Sequence, residues 1–334
     1  MSSVMPVDAA IIGLGRWGQN LVSAVADDAN TSLKFTRAMT RTPAKSSDFC
    51  QRYAIPVTDD YSSILADPAI EAVVLATPHS QHCQQICDAA AAGKHVFVEK
   101  PLALTLADAR IALEASKRHR IALAVGFNRR FLPAYQMMER ELAAGSLGTA
   151  LHLEGNFSGP FGYGYSDDMW RGSAAENPAG GMAAMGIHVL DAMIHLCGPV
   201  GRVSAISKRQ VLETSIDDTT TVQLEFEGGA TGSLASLMAT PSHWRLQLFG
   251  SSGLALMPDQ DTLEIRRLEG APQRRGFDAT NTLALELDAF AKQIRGLATY
   301  PVTGPEAVAG VAAMEAISIS AGRGGDHIDV TNIS

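Results

Sequence analysis

Basic clusters are what this sequence most plainly lacks. Its 27 lysines and arginines are outnumbered by 35 acids, the formal net charge is −8, and no Lys/Arg-rich run occurs anywhere. Phosphate backbones demand a concentrated positive face, so nucleic acid is excluded as a partner and a small-molecule substrate is expected instead. Long apolar runs are missing too. The apolar stretch 9–14 meets Gly15 and Arg16 at once, far short of the roughly 18 residues that a membrane-spanning helix needs. No membrane partner is expected. The four cysteines, Cys50, Cys83, Cys87 and Cys197, form no Cys-x-x-Cys pair; they argue against a disulfide scaffold and are read as free thiols without a role. The first residues carry no basic segment leading into an apolar one, so the expected address is cytoplasmic.

What is present is an ordinary globular composition in a chain of 334 residues, longer than one hydrophobic core usually serves. Two domains are expected, 1–128 and 129–334. Over the first third, short apolar or β-branched runs at 9–13, 33–40, 72–76, 96–98 and 122–126 alternate with helical spacing at 17–26, 43–53, 81–92 and 106–117. That rhythm belongs to an α/β, doubly wound parallel sheet. Beyond residue 147 the rhythm changes. Segments 219–226, 231–239, 244–249 and 263–267 alternate or run apolar between glycine turns, and helices are read at 283–295 and 305–320. The second domain is therefore expected to be an α/β unit with an open, mainly antiparallel sheet. The glycine-rich stretch 158–165, with three aromatics, is the most loop-like segment and could cover a pocket.

The strongest local signal is Gly13-Leu14-Gly15-Arg16-Trp17-Gly18, placed between an apolar strand and a helical pattern. Three glycines in six residues can be merely a turn; the strand before and the helix after make this a Rossmann dinucleotide fingerprint. Gly13 permits the tight turn, Gly15 lets backbone N–H groups approach a pyrophosphate, and Gly18 lets the helix pack close to the sheet. Such folds usually end their second strand with an acid that holds the ribose of NAD. Here that strand ends Thr40-Arg41-Thr42, with no carboxylate between Asp28 and Asp48. A hydroxyl beside a guanidinium suits a 2′-phosphate, so NADP is expected ahead of NAD, unless Arg41 is only a solvated loop charge. At Glu99-Lys100-Pro101 the chain leaves another apolar strand, at the end of the sheet where ligands bind. A lysine there can exchange a proton with a substrate oxygen, although alone the tripeptide could be a surface pair before a helix.

Together with these, Thr77-Pro78-His79-Ser80-Gln81-His82, Gly126-Phe127-Asn128-Arg129-Arg130-Phe131 and Gly180-Gly181-x-x-x-x-Gly186-x-His188-x-x-Asp191 make a set that resembles the Gfo/Idh/MocA oxidoreductases over nearly the whole chain. The resemblance implies a Rossmann domain joined to an α/β domain whose open sheet faces the cofactor. It implies a homodimer or homotetramer built through that sheet. The implied chemistry is hydride transfer between NAD(P) and a carbinol carbon of a sugar, cyclitol, dihydrodiol or related compound. The implied catalytic residues are Lys100 and His188. Cofactor contacts are expected from Gly13, Gly15, Arg16, Trp17, Gly18, Thr40, Arg41, Thr77, Pro78, His82, Glu99, Lys100 and Asn128. Substrate contacts are expected from Lys100, Arg129, Asp168, Trp170, Arg171 and His188.

One position departs from the pattern. Where many relatives carry an aspartate four residues before the histidine, this chain has Ala184, which cannot accept a hydroxyl's hydrogen bond. The substrate is then less hydroxylated than a sugar, or another carboxylate such as Asp167 or Asp168 serves. His188, Asp191 and His195 share a helix face, but no further ligand is apparent and the chemistry needs no metal, so none is expected. Two other readings stay open. One is a dihydrodiol-type dehydrogenase; the other is a dinucleotide-sensing regulator without catalysis, which the loss of the aspartate favours and the retention of Lys100 and His188 opposes.

Overall fold

The computed structural model describes residues 5–28 and 31–333. The chain forms two compact units, one of 1–103, 107–128 and 281–304, the other of 104–106, 129–280 and 305–334. The sequence places 281–304 with the second domain; by its packing this segment belongs to the first.

The first unit is built on six parallel strands: β1 (Val7–Ile12), β2 (Leu33–Met39), β3 (Val57–Thr58), β4 (Ala72–Leu75), β5 (His95–Glu99) and β6 (Leu123–Gly126). Their order is β3-β2-β1-β4-β5-β6, the doubly wound arrangement. All four residues of β4 are buried, as expected of a strand covered on both faces, and this is why it reads as an unbroken apolar run. The connecting helices are α1 (Arg16–Ala26), α2 (Ser47–Arg52), α3 (Tyr61–Ala66), α4 (His82–Ala91) and α5 (Leu106–His119). The helix expected over 43–53 is a 3-10 turn, Pro43–Ser46, followed by the short α2. The returning helix Thr282–Ile294 lies against this sheet, with the Phe290 ring 5.8 Å from Phe97 of β5. Asp288 accepts from the amide of Ser32 at 2.9 Å, and Arg295 pairs with Glu71 at 2.6 Å.

The second unit holds nine strands. They are β7 (Ala150–Ser158), β8 (Val200–Lys208), β9 (Thr219–Phe226), β10 (Thr231–Leu237), β11 (His243–Gly250), β12 (Gly253–Met257), β13 (Thr262–Arg267), β14 (Gln273–Gly276) and β15 (Ile328–Asp329). Their order is β14-β13-β12-β11-β7-β10-β9-β8-β15, and every pairing is antiparallel except β7 with β10. One face carries α7 (Ile187–Cys197), while α6 (Pro133–Ala143) and the helix Gly304–Gly322 complete the unit. Helix α7 lies directly on β7, because a side-chain carbon at Gly155 would collide with Val189 and approach Met193 within 2.7 Å. Only glycine allows that approach.

Among the described residues, no helix is long and apolar enough to cross a membrane. The four cysteines are free. Burial pushes the Cys83 thiol up to about 12 and the Cys197 thiol to about 11, so neither supplies a thiolate at neutral pH.

Candidate functional site

In the first unit, the fingerprint glycines occupy positions that other residues would disturb. Gly13 follows β1 with φ +97°, and a side-chain carbon there would lie 2.6 Å from the Ala76 carbonyl. A side-chain carbon on Gly18 would strike the Gly13 carbonyl. Gly15, in contrast, faces open space: nothing lies within 4 Å of the place its side chain would take. It is the N-cap of α1, with no side-chain cap and no acid in the first turn. The first amides of α1 therefore keep their hydrogen-bonding capacity and their partial positive charge for an outside anion. Arg16 is exposed and Trp17 half-buried, and among the described residues the Trp17 indole nitrogen has no hydrogen-bond partner.

Beyond β2, the Thr40 amide donates to the Thr58 carbonyl at 3.0 Å, and Arg41 is exposed. The sheet brings the turn after β3 beside this strand end, and with it acids that a reading of β2 alone does not see. Asp60, however, is committed to capping α3, accepting from the Ser62 amide at 2.9 Å.

At the end of β4, Thr77 donates to Gln85 at 2.6 Å and Pro78 is half-buried. His82 is fully buried, its Nδ1 2.8 Å from the Pro101 carbonyl and its Nε2 3.2 Å from the Thr77 carbonyl. Lying between these two carbonyls, the ring bridges the loop after β4 and the loop after β5. Glu99 is buried, its carboxylate packed over Gly126, while Lys100 is half-buried at the end of β5 and joined to Pro101 by a cis peptide bond. Asn128 follows β6. Its Nδ2 donates to Thr282 at 3.1 Å, and among the described residues its buried Oδ1 has no hydrogen-bond partner.

In the second unit, His188 is 5% exposed on α7. Its ring lies 6.0 Å from that of Phe157 on β7, and Phe157 meets Trp244 of β11 edge-on at 5.1 Å. The Arg129 guanidinium stands 5.6 Å from the Phe157 ring and 5.9 Å from the Trp244 ring. Arg129 and His188 thus share one aromatic neighbour. Trp170 and Arg171 form a stack of their own, 4.2 Å from guanidinium to ring, and Asp168 is exposed, accepting from the Ser166 hydroxyl. Asp167 accepts from the Ser215 amide at 3.3 Å.

His188 was read as lying on a regular helix. It lies on α7, and Met182–Gly186 is a π-helical turn that leads into that helix. Ala184 on this turn, together with Phe157, Tyr165 and Ala239, packs against a buried cluster of Met185, Leu212, Ile216 and Met238. The departure from the family pattern therefore lies in an apolar surround.

Below His188, α7 is anchored by charge. Asp191 takes both prongs of the buried Arg130, at 2.7 and 2.8 Å. Burial opposes the Arg130 charge, but the Asp191 carboxylate and its hydrogen bonds outweigh that and raise the pKa. His195 bridges Glu306 at 2.6 Å and Glu139 at 3.1 Å. Asp191 and His195 thus have structural partners, and no group of three or more metal-ligating side chains occurs among the described residues.

Comparison with known proteins gives this geometry a family. A profile described as "Oxidoreductase family, NAD-binding Rossmann fold" matches residues 7–127, and the profile of the GFO/IDH/MocA C-terminal domain matches residues 135–256. The chain belongs to the Gfo/Idh/MocA oxidoreductase family. It is similar to the scyllo-inositol 2-dehydrogenase (NAD(+)) of Bacillus subtilis, 35% identical over 45% of this chain and 44% of that one. It is also similar to the trans-1,2-dihydrobenzene-1,2-diol dehydrogenase of Bos taurus, 25% identical over 73% and 74%. Among solved structures, a levoglucosan dehydrogenase in complex with NADH and levoglucosan superposes with a TM-score of 0.88 at 21% identity, covering 98% of this chain and 100% of that one. The fold is thus that of the family's oxidoreductases.

The sequence did not single out Phe157 and Trp244, the two rings beside Arg129. Trp244 opens a segment read as a strand, 244–249, and nothing local distinguishes it from a core residue. Phe157 lies in a strand that was not read at all.

Proposed function

We propose that the protein is a nicotinamide-dependent dehydrogenase or reductase acting on a carbinol carbon of a ring-shaped alcohol, with NADP preferred over NAD. The observation that carries the reading is the open position at Gly15 above the uncapped start of α1. A pyrophosphate fits that cradle, because amides and helix dipole both favour an anion there. The open acceptor on Asn128 at the end of β6 suits a ligand that carries donors. Arg41, exposed beside Thr40, would hold a 2′-phosphate through charge-assisted hydrogen bonds, and Asp60 is otherwise engaged.

When bound, the nicotinamide supplies the hydride acceptor or donor. This chain's own part is to handle the proton. Oxidation of a carbinol breaks its C–H bond with loss of hydride and its O–H bond with loss of a proton, leaving a carbonyl. Lys100 and His188 are the residues we assign to that oxygen, taking the proton in oxidation and returning it in reduction. Arg129 is assigned to substrate binding.

The substrate is read as a ring with an apolar edge rather than a fully hydroxylated sugar. Ala184, Phe157 and Tyr165 line one apolar cluster, and an unmatched buried hydroxyl costs about 1–3 kcal/mol. The relative that acts on a dihydrobenzenediol points the same way. The test is a panel of cyclic diols, cyclitols and sugars, each assayed with NAD⁺ and NADP⁺. Turnover of cyclic diols with NADP⁺ is expected; dinucleotide binding without turnover of any alcohol would make the protein a sensor.

A further inference from the structure

Trp244 carries an unused donor. It is 7% exposed on β11, and among the described residues its indole nitrogen has no hydrogen-bond partner. Buried N–H groups are nearly always paired, since the hydrogen bond to water given up on folding must be replaced. A tryptophan needed only to fill space could be replaced by an apolar residue without that loss. Its surroundings are specific as well. The ring stands edge-on to its cross-strand neighbour Phe157, at 74° between planes, and the Arg129 guanidinium lies by both rings. Phe157 in turn meets His188. The four side chains come from β7, β11, α7 and the turn after β6, so the wall is set by tertiary structure.

We infer that Trp244 is a specificity-determining residue: its indole N–H donates to a non-reacting oxygen of a six-membered ring alcohol whose apolar edge rests on Phe157. The inference rests on the reading of His188 as a substrate-facing group. Tryptophan suits the task, because it joins a broad apolar face to one donor. A ring alcohol suits it equally, having C–H edges for Phe157 and an oxygen acceptor for the indole. Because the bonded oxygen does not react, the hydrogen bond has the same strength in ground and transition states, and its loss falls on KM rather than on kcat.

The test uses the full-length protein saturated with NADP⁺, with trans-cyclohexane-1,2-diol and scyllo-inositol as probes. The chain has three tryptophans, so a ¹⁵N-labelled sample gives three indole resonances, and the one absent in Trp244→Phe is assigned to Trp244. Adding the diol is expected to move that resonance downfield. Trp244→Phe is expected to raise KM for the diol about 10-fold, the scale of one hydrogen bond, while dinucleotide affinity is kept. Phe157→Leu, which keeps an apolar side chain and serves should Trp244→Phe not fold, is expected to raise KM for the diol more than for scyllo-inositol. An unchanged KM in Trp244→Phe, or an equal effect of Phe157→Leu on both probes, overturns the inference. If the wild type oxidises neither probe, the proposed function fails first. Trp244 is then judged by its resonance alone, and a resonance that stays still under saturating diol overturns the assignment.

Discussion

Lys100 and Arg41 divide the proposed chemistry from the proposed binding, and their substitutions should separate cleanly. Lys100, half-buried at the end of β5, is assigned to the substrate oxygen. Lys100→Met should therefore lower kcat by about 10²-fold or more, the range for losing a positioned acid or base, with dinucleotide affinity nearly unchanged. Steady-state kinetics beside a dinucleotide titration checks this; near-normal turnover would remove Lys100 from the mechanism. Arg41 is assigned to the cofactor alone. Arg41→Ala should weaken NADPH by about 1.5–3 kcal/mol, the scale of a charged hydrogen bond, and leave NADH almost unaffected. A wild type that prefers NADH, or equal losses for both cofactors, would defeat the assignment of the 2′-phosphate. The glycine fingerprint was legible in the sequence because its meaning is local: strand, turn and helix adjoin along the chain. His82 was not, since its two carbonyl partners belong to different loops and only the fold shows both.

Helix α7 carries His188, the second unit's share of the proposed chemistry, and it is held from both sides. Against the sheet, it sits in the space left by Gly155. Gly155→Ala should overpack that contact and destabilise the protein by about 1–3 kcal/mol, read as a lowered urea midpoint with an unchanged slope. The same glycine explains why β7 escaped notice. Leu151, Leu153, Gly155 and Phe157 alternate with more polar residues, but the glycine breaks the apolar count, and the reason for it is a helix more than thirty residues further on. At its other end α7 is tied by His195. The Glu306 carboxylate accepting from its ring raises the His195 pKa, with Glu139 adding to the effect while burial and Arg130 oppose it. A raised folded pKa means that protonation stabilises the folded state. That contribution is complete below about pH 6.5, the unfolded value, and is lost as the pH rises through the folded one. The stability difference between wild type and His195→Gln should therefore be largest in mild acid and shrink towards alkaline pH. Urea titrations at a series of pH values check it, and a difference that grows with pH would refute it.

Across the whole molecule, β1, β2, β4, β5 and β6 were legible because strands covered on both faces read as apolar runs, and β9, β10, β11 and β13 of the later sheet because glycine turns separate them. The assignment of 281–304 was not. That segment looks like any amphipathic helix, and which sheet it covers is decided by Phe290 against Phe97, Tyr300 against Val125, and Asp288 against Ser32. None of these partners lies nearby in sequence. The returning segment also gives the molecule a timetable. On a ribosome adding about 5–20 residues each second, the six strands of the first unit emerge roughly 10–30 s before the helix that covers them. Through that interval the face around Phe97 has no native cover, and the nascent chain has to be kept from association by other means. A chain ending at Thr280 would prolong that interval indefinitely, and it should accumulate in the insoluble fraction while the full-length protein stays soluble. Soluble, cooperatively unfolding 1–280 would show that the first unit closes without its late arrival. Most of the second unit, residues 129–280, is thus synthesised while the first waits to be finished.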